Sequence, residues 1–87
     1  PDDLEGWRRL ARAYGVLGRK PEAMQAHQRV LALAPNDPDA LWALGAAAQE
    51  RGDARTARRY WQTLLAGLPA GSQERGRVEA AIASLPK

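Results

Sequence analysis

The sequence predicts an all-α fold: two helix-turn-helix repeats followed by a C-terminal capping helix, stacked as an α-solenoid. Three observations predict it. The 87-residue chain is self-similar at a period of 34, so that Asp3, Leu10, Ala13, Gly18, Ala23 and Pro35 recur as Asp37, Leu44, Ala47, Gly52, Ala57 and Pro69. A period of that length marks an array of helical hairpins. Within the first unit, Trp7, Leu10, Ala11 and Tyr14 stand at i, i+3, i+4 and i+7, the buried stripe of a helix. Gly18 and Gly52, with Pro35 and Pro69, punctuate such stripes, and no segment alternates as a strand does.

The elements follow in order. Asp3 is placed to cap a helix over about 4–17, and Gly18 supplies the left-handed residue of its exit. Lys20-Pro21-Glu22 opens a second helix over about 21–33, ended by Pro35. Asp37 caps a third over about 38–51, with Pro38 at a position where its missing N–H is harmless, and Gly52 ends it. Asp53 opens a fourth over about 54–67, ended by Pro69. The fifth spans about 73–85, with Val78, Ala81, Ile82 and Leu85 as its apolar stripe. It reads as a cap over the second unit's open face. The repeats are therefore 4–37 and 38–71, with the cap at 72–87, all in one domain. Pro1 aligns with the repeat-final Pro35 and Pro69, and no initiator methionine precedes it. The expectation is a piece of a longer protein, with a further repeat upstream.

Hydrophobic residues make up 45% of the chain but aromatics only 6%, so close helix–helix contacts are expected in place of a bulky core. The net charge of +3 is too small to argue for nucleic acid by itself. There is no cysteine, which excludes disulfides and cysteine metal sites. No apolar run approaches the ~20 residues that span a bilayer, and no signal or lipidation motif is present, so targeting information is expected outside this piece. Enzyme chemistry fails on constituents: one histidine, two serines (Ser72 and Ser84) far from it in sequence, and no phosphate-binding or zinc-binding motif. His27 reads as a packing residue. No catalytic residue, metal or cofactor is expected.

The two units carry a family pattern. The first reads Trp7-x2-Leu10-Ala11-x2-Tyr14, then Ala23-x3-His27, then Pro35; the second reads Leu41-x2-Leu44-Gly45-x2-Ala48, then Ala57-x3-Trp61, then Pro69. This resembles the tetratricopeptide repeat (TPR), W-x2-L-G-x2-Y, A-x3-F, P. The resemblance implies a right-handed solenoid whose first helices line a concave peptide-binding groove. A narrower resemblance lies in the C-terminal half. Trp61, Leu64, Leu65, Leu68 and Pro69, then Ala70-Gly71-Ser72, then Val78 and Ile82, look like the end of the periplasmic TPR domain of the cytochrome c maturation family CcmI/CycH. The segment PDDLEGWRRLARAYGVLGR is similar to that family's first repeat. This resemblance implies a domain in the periplasm, part of an inner-membrane protein. It would hold the C-terminal segment of an apocytochrome c and pass it to the haem-ligation machinery.

Read from the residues, one step on from each packing position gives the groove. The first unit contributes Glu5, Arg8, Arg12 and Gly15, the second Asp39, Trp42, Ala46 and Gln49, and the cap Gln73, Gly76, Ala80 and Ala83. Arginine can hold a carboxylate through two parallel bonds, Trp42 offers apolar area, and the small residues leave room for a ligand. Arg8 and Arg12 read equally as solvated arginines, and Trp42 as packing on a neighbouring helix. Arg9 and the outward cluster Arg55, Arg58 and Arg59 read as solvated surface. The function expected is a non-catalytic peptide-binding module of cytochrome c maturation. A generic protein–protein scaffold in another bacterial assembly is the alternative, and an anionic-surface or nucleic-acid binder is the third class.

Overall fold

The computed structural model describes residues 3–87, so the expected repeat-final role of Pro1 and the acidic residue Asp2 lie outside the described residues. Five helices form: α1 (Leu4–Val16), α2 (Lys20–Leu33), α3 (Pro38–Glu50), α4 (Ala54–Ala66) and α5 (Gln73–Ala83). Side-chain caps set the starts of α1, α3, α4 and α5, while α2 opens with Pro21 in its first turn and no capping side chain. Asp3 accepts from the Gly6 amide at 2.9 Å, Asp37 from Ala40 and Asp53 from Thr56 at 3.1 Å each, and Ser72 from Arg75 at 3.1 Å. Each satisfies an amide that the helix leaves without a partner. The exits of α1 and α3 are copies of one another. Gly18 and Gly52 have φ of 74° and 82°, and the next amide, of Arg19 or Asp53, returns to the Tyr14 or Ala48 carbonyl at 2.9 Å.

The helices end within about a residue of expectation except at the C-terminus. There α5 stops at Ala83, and the Ser84 hydroxyl donates to the Ala81 carbonyl at 2.7 Å. Leu85 precedes Pro86, which disfavours continued helix. The tail instead turns in, so Leu85 is buried while Arg58 donates to the Pro86 carbonyl at 2.9 Å.

Packing is sequential: α1 lies along α2, α3 along α4, α2 against α3, and α5 on α4. This is an all-helical array of hairpins, as the 34-residue period predicts. Small residues make the seams close. Ala23, Ala26, Ala40, Ala48 and Ala57 are all buried, with Val30, Leu41 and Leu44 between them. The centre of gravity of the core is the second hairpin plus the cap, where Leu41, Trp61, Leu64, Val78 and Leu85 form one cluster.

Trp61 is the one fully buried aromatic ring among the described residues, 1% exposed. It fits because Gly45 faces it: a Cβ at Gly45 would overlap the indole at Nε1, Cδ1 and Cε2. Its Nε1–H donates to the Trp42 carbonyl at 3.3 Å, so the polar atom is not stranded. At the matching positions of the first hairpin stand Ala11 and His27, a larger residue opposite a smaller ring. His27 is half-buried, and burial pushes its imidazole below the ordinary value, against the upward pull of Asp37 and Asp39. Burial thus favours the neutral imidazole, which packs as an apolar ring would.

Trp7 and Tyr14, expected in the buried stripe of α1, are only half-buried, as is Tyr60. For Trp7 and Tyr14 the reason is that α1 has a neighbour on one side only, whereas α3 lies between α2 and α4. Arginines cover the exposed rings: Arg29 stands 5.6 Å from the Trp7 centroid and Arg19 5.8 Å from that of Tyr14.

Two stability measurements check this packing. Gly45→Ala should destabilise the domain by about 1–3 kcal/mol in urea denaturation, the range for overpacked cores, and Trp61→Phe in the same chain should recover part of the loss. Removal of residues 70–87 strips Val78 and Leu85 from the core, about 3–5 kcal/mol of gross apolar burial. The melting temperature should fall, and an unchanged value would contradict the capping role of α5.

Candidate functional site

Counting from each cap explains how the groove is built. The second and fifth residues after the cap are Glu5 and Arg8 in α1, Asp39 and Trp42 in α3, and Glu74 and Arg77 in α5. The caps of α1 and α3 are 34 residues apart, but those of α3 and α5 are 35 apart, because Ser72 and not Gly71 caps the last helix. One extra residue turns α5 by about 100° relative to the repeat.

The expected groove residues of the cap therefore move. Gln73, Gly76, Ala80 and Ala83 are exposed and do not line the cleft. Gly76, Ala80 and Ala83 correspond by cap-counting to Leu41, Gly45 and Ala48, the α3 face that packs on α4. They stand where a sixth helix would lie. Glu74, Arg77 and Val78 take the groove side instead.

The cleft lies between the start of α3, the end of α4 and the start of α5. Pro38, Asp39, Trp42, Leu64, Leu68, Glu74, Arg77 and Val78 line about 230 Å³ of space. That equals the liquid volume of roughly eight waters and is smaller than the ~300–1,000 Å³ of small-molecule sites. It suits one large side chain of a partner. Leu64 and Val78 are buried beneath it, while Trp42 is 40% exposed. The Trp42 ring stacks on Trp61 with centroids 5.2 Å apart and planes at 22°. A side chain half in water is thus held by one wholly in the core.

Arg8 has a different occupation. Its Nη2 and Nε reach Asp37 Oδ1 at 2.6 and 3.0 Å, and its Nη1 reaches Glu5 Oε1 at 2.6 Å. The other oxygen of Asp37 caps Ala40. The bonds Arg8 donates to Glu5 and Asp37 raise its pKa above its already high ordinary value. Arg8 is a strut from α1 to the cap of α3, and a ligand carboxylate would compete with two protein carboxylates for it. Arg12 is exposed beside Arg9, Ala13, Val16 and Leu17 in a shallow depression on the outer side of α1. Ala46 is partly buried against the core and Gln49 is exposed. Of the sequence-expected set, the structure brings Asp39 and Trp42 together in one cleft and Glu5 and Arg8 together in one strut.

Sequence reasoning missed Leu64, Leu68, Glu74, Arg77 and Val78 as cleft residues. Cap-counting from Ser72 would have found Glu74 and Arg77. Leu64 in α4 and Leu68 just past its end carry no such signal, since leucines four residues apart read as core.

The strut can be tested by urea denaturation. Asp37→Ala removes a cap and a buried ion-pair partner together, an expected loss of about 1–3 kcal/mol. Arg8→Gln keeps the cap and should cost less. The double mutant should cost less than the sum of the two, and strict additivity would show that the two side chains do not cooperate.

No helix among the described residues is long and apolar enough to cross a membrane. No curated protein matches the chain. A tetratricopeptide repeat profile matches residues 4–47, just over half of the chain and all of α1 and α2 with most of α3. With the 34-residue period and the paired antiparallel hairpins, that match shows that the chain belongs to the tetratricopeptide repeat family.

Proposed function

We propose that the chain is a non-catalytic peptide-binding module that holds the C-terminal segment of an apocytochrome c during c-type cytochrome maturation. Tetratricopeptide repeats are protein–protein interaction scaffolds, and the observation that supports a peptide site on this one is Trp42. Its indole is exposed on a side-chain-sized cleft yet fixed by the stack on Trp61. A preformed anchor loses little conformational freedom when a partner covers it.

The client rests on the likeness of Trp61 to Ile82 to the end of the CcmI/CycH periplasmic domain. In that reading the domain lies in the periplasm, membrane attachment belongs to other segments of an inner-membrane protein, and the haem-ligation machinery receives the client.

Covering the exposed part of Trp42 removes about 100 Å² of apolar area, roughly 2–3 kcal/mol. Association costs several kcal/mol or more. Two repeats and a cap should therefore bind in the micromolar range or more weakly.

Calorimetric titration of the 87-residue chain with the C-terminal peptide of a c-type apocytochrome is the test. Saturable binding, weakened about tenfold or more by Trp42→Ala with the circular dichroism spectrum unchanged, is expected. Failure of that peptide, with Trp42-dependent binding of unrelated helical peptides, would leave a scaffold with another client. Binding indifferent to Trp42 would remove the cleft from the site.

A further inference from the structure

Two carboxylates stand in the wall of the Trp42 cleft. Asp39 and Glu74 come from different helices, each two residues after its cap, and both line the space beside the indole. Among the described residues neither makes a side-chain hydrogen bond or an ion pair. The helix starts do not use them for capping, because Asp37 and Ser72 already accept from the first-turn amides. They complement the helix dipoles, but that is a long-range effect and leaves their oxygens open to a partner.

The first hairpin shows what these positions do when they are satisfied. There the matching acid, Glu5, is held at 2.6 Å by Arg8, the residue three further on. In α3 that further residue is Trp42. A single change of residue type therefore does two things: it puts an indole on the groove, and it deprives Asp39 of the arginine that Glu5 has. The chain also covers its other exposed rings in α1 with cations, Arg29 over Trp7 and Arg19 over Tyr14. Trp42 has no such cover among the described residues.

Building on the peptide-binding reading, we propose that the cleft takes a basic side chain, an arginine or lysine of the bound segment. Its aliphatic stem lies on the Trp42 indole and its charged head meets Asp39 and Glu74. A cation over an indole gains from the ring's negative face, and a long basic side chain buries its stem while keeping its head wet. The cleft's volume matches one such side chain. The whole chain carries +3, so a basic segment is repelled by most of the surface and favoured where the two carboxylates stand. Arg77 is the competing group. It shares the cleft, stands three residues after Glu74, and makes no ion pair among the described residues. Folding back onto Glu74, it would occupy part of the site.

The test uses the 87-residue chain and three twelve-residue peptides that differ only in a central arginine, leucine or glutamate. The readout is the Trp42 indole N–H resonance. The arginine peptide should bind roughly fivefold more tightly than the leucine peptide, from the cation–π and exposed ion-pair contributions together. The glutamate peptide should bind most weakly. Asp39→Asn with Glu74→Gln should abolish the arginine advantage, and Arg77→Gln should increase it; all three positions are exposed, so the fold is kept.

Equal or tighter binding of the leucine peptide would overturn the inference while leaving a peptide cleft at Trp42. An arginine preference that survives loss of both carboxylates would overturn it as well. If none of the peptides moves the Trp42 resonance of the folded domain, the inference fails. The apocytochrome titration then judges the peptide-binding reading separately, since its readout does not depend on the charge of the anchor.

Discussion

Trp61 ties the core of this domain to its surface. Its indole is buried between α3 and α4 in space that only a glycine at position 45 leaves open. Burying a ring of that size is among the largest apolar contributions a single residue can make, but it brings an N–H that needs an acceptor. The acceptor is the carbonyl of Trp42, and the same neighbourhood lets the two rings stack. The orientation of the exposed indole is therefore a consequence of core packing. A partner that covers Trp42 meets a surface already ordered by the hydrophobic interior.

The two halves of the groove illustrate opposite uses of one position. At the fifth residue after the cap, α1 has Arg8 and α3 has Trp42. Arg8 spends its donors within the protein, on Glu5 and on the cap of the next hairpin, and so contributes to holding the hairpins in register. Asp37 is 7% exposed and serves the α3 amide and the guanidinium at once, an arrangement in which removal of either partner leaves a largely buried charge less well satisfied. Trp42 makes no equivalent reach to α5. The seam there stays open, with charged residues from α5 on its rim. One end of the groove is closed by an internal ion pair and the other holds an open cleft beside Trp42.

The junction with α5 shows how much follows from one residue of linker. Arg75 donates to the Leu65 and Leu68 carbonyls at 2.9 and 3.2 Å, satisfying the end of α4. Val78 and Leu85 enter the core cluster beside Leu64. With those contacts made, the helix has no freedom to rotate, and Gly76, Ala80 and Ala83 are left facing away from the cleft. A period of 34 carried past Gly71 places these small residues in the groove. The cap at Ser72 places Glu74 and Arg77 there instead.

The local chemistry of this chain was legible residue by residue. Aspartates before apolar stripes become caps, glycines at 18 and 52 become left-handed exits, and prolines at 35 and 69 close the units. These are short-range preferences of the backbone and its nearest side chains, and they survive whatever the tertiary context. The repeat period likewise announced hairpins stacked in order, because each hairpin has an apolar face that only a neighbour can cover. The use of charged side chains was not legible, since a guanidinium takes its meaning from what lies across a helix–helix seam. Arg8 could have awaited a ligand until Asp37, 29 residues away, was found beside it, and Glu74 and Arg77 entered the site only through the rotation of α5. By itself, then, the sequence determined the helices, their order and the family. Only the tertiary structure decided which groups face the cleft and which are already partnered, because those depend on helix phase and on distances between residues far apart in the chain.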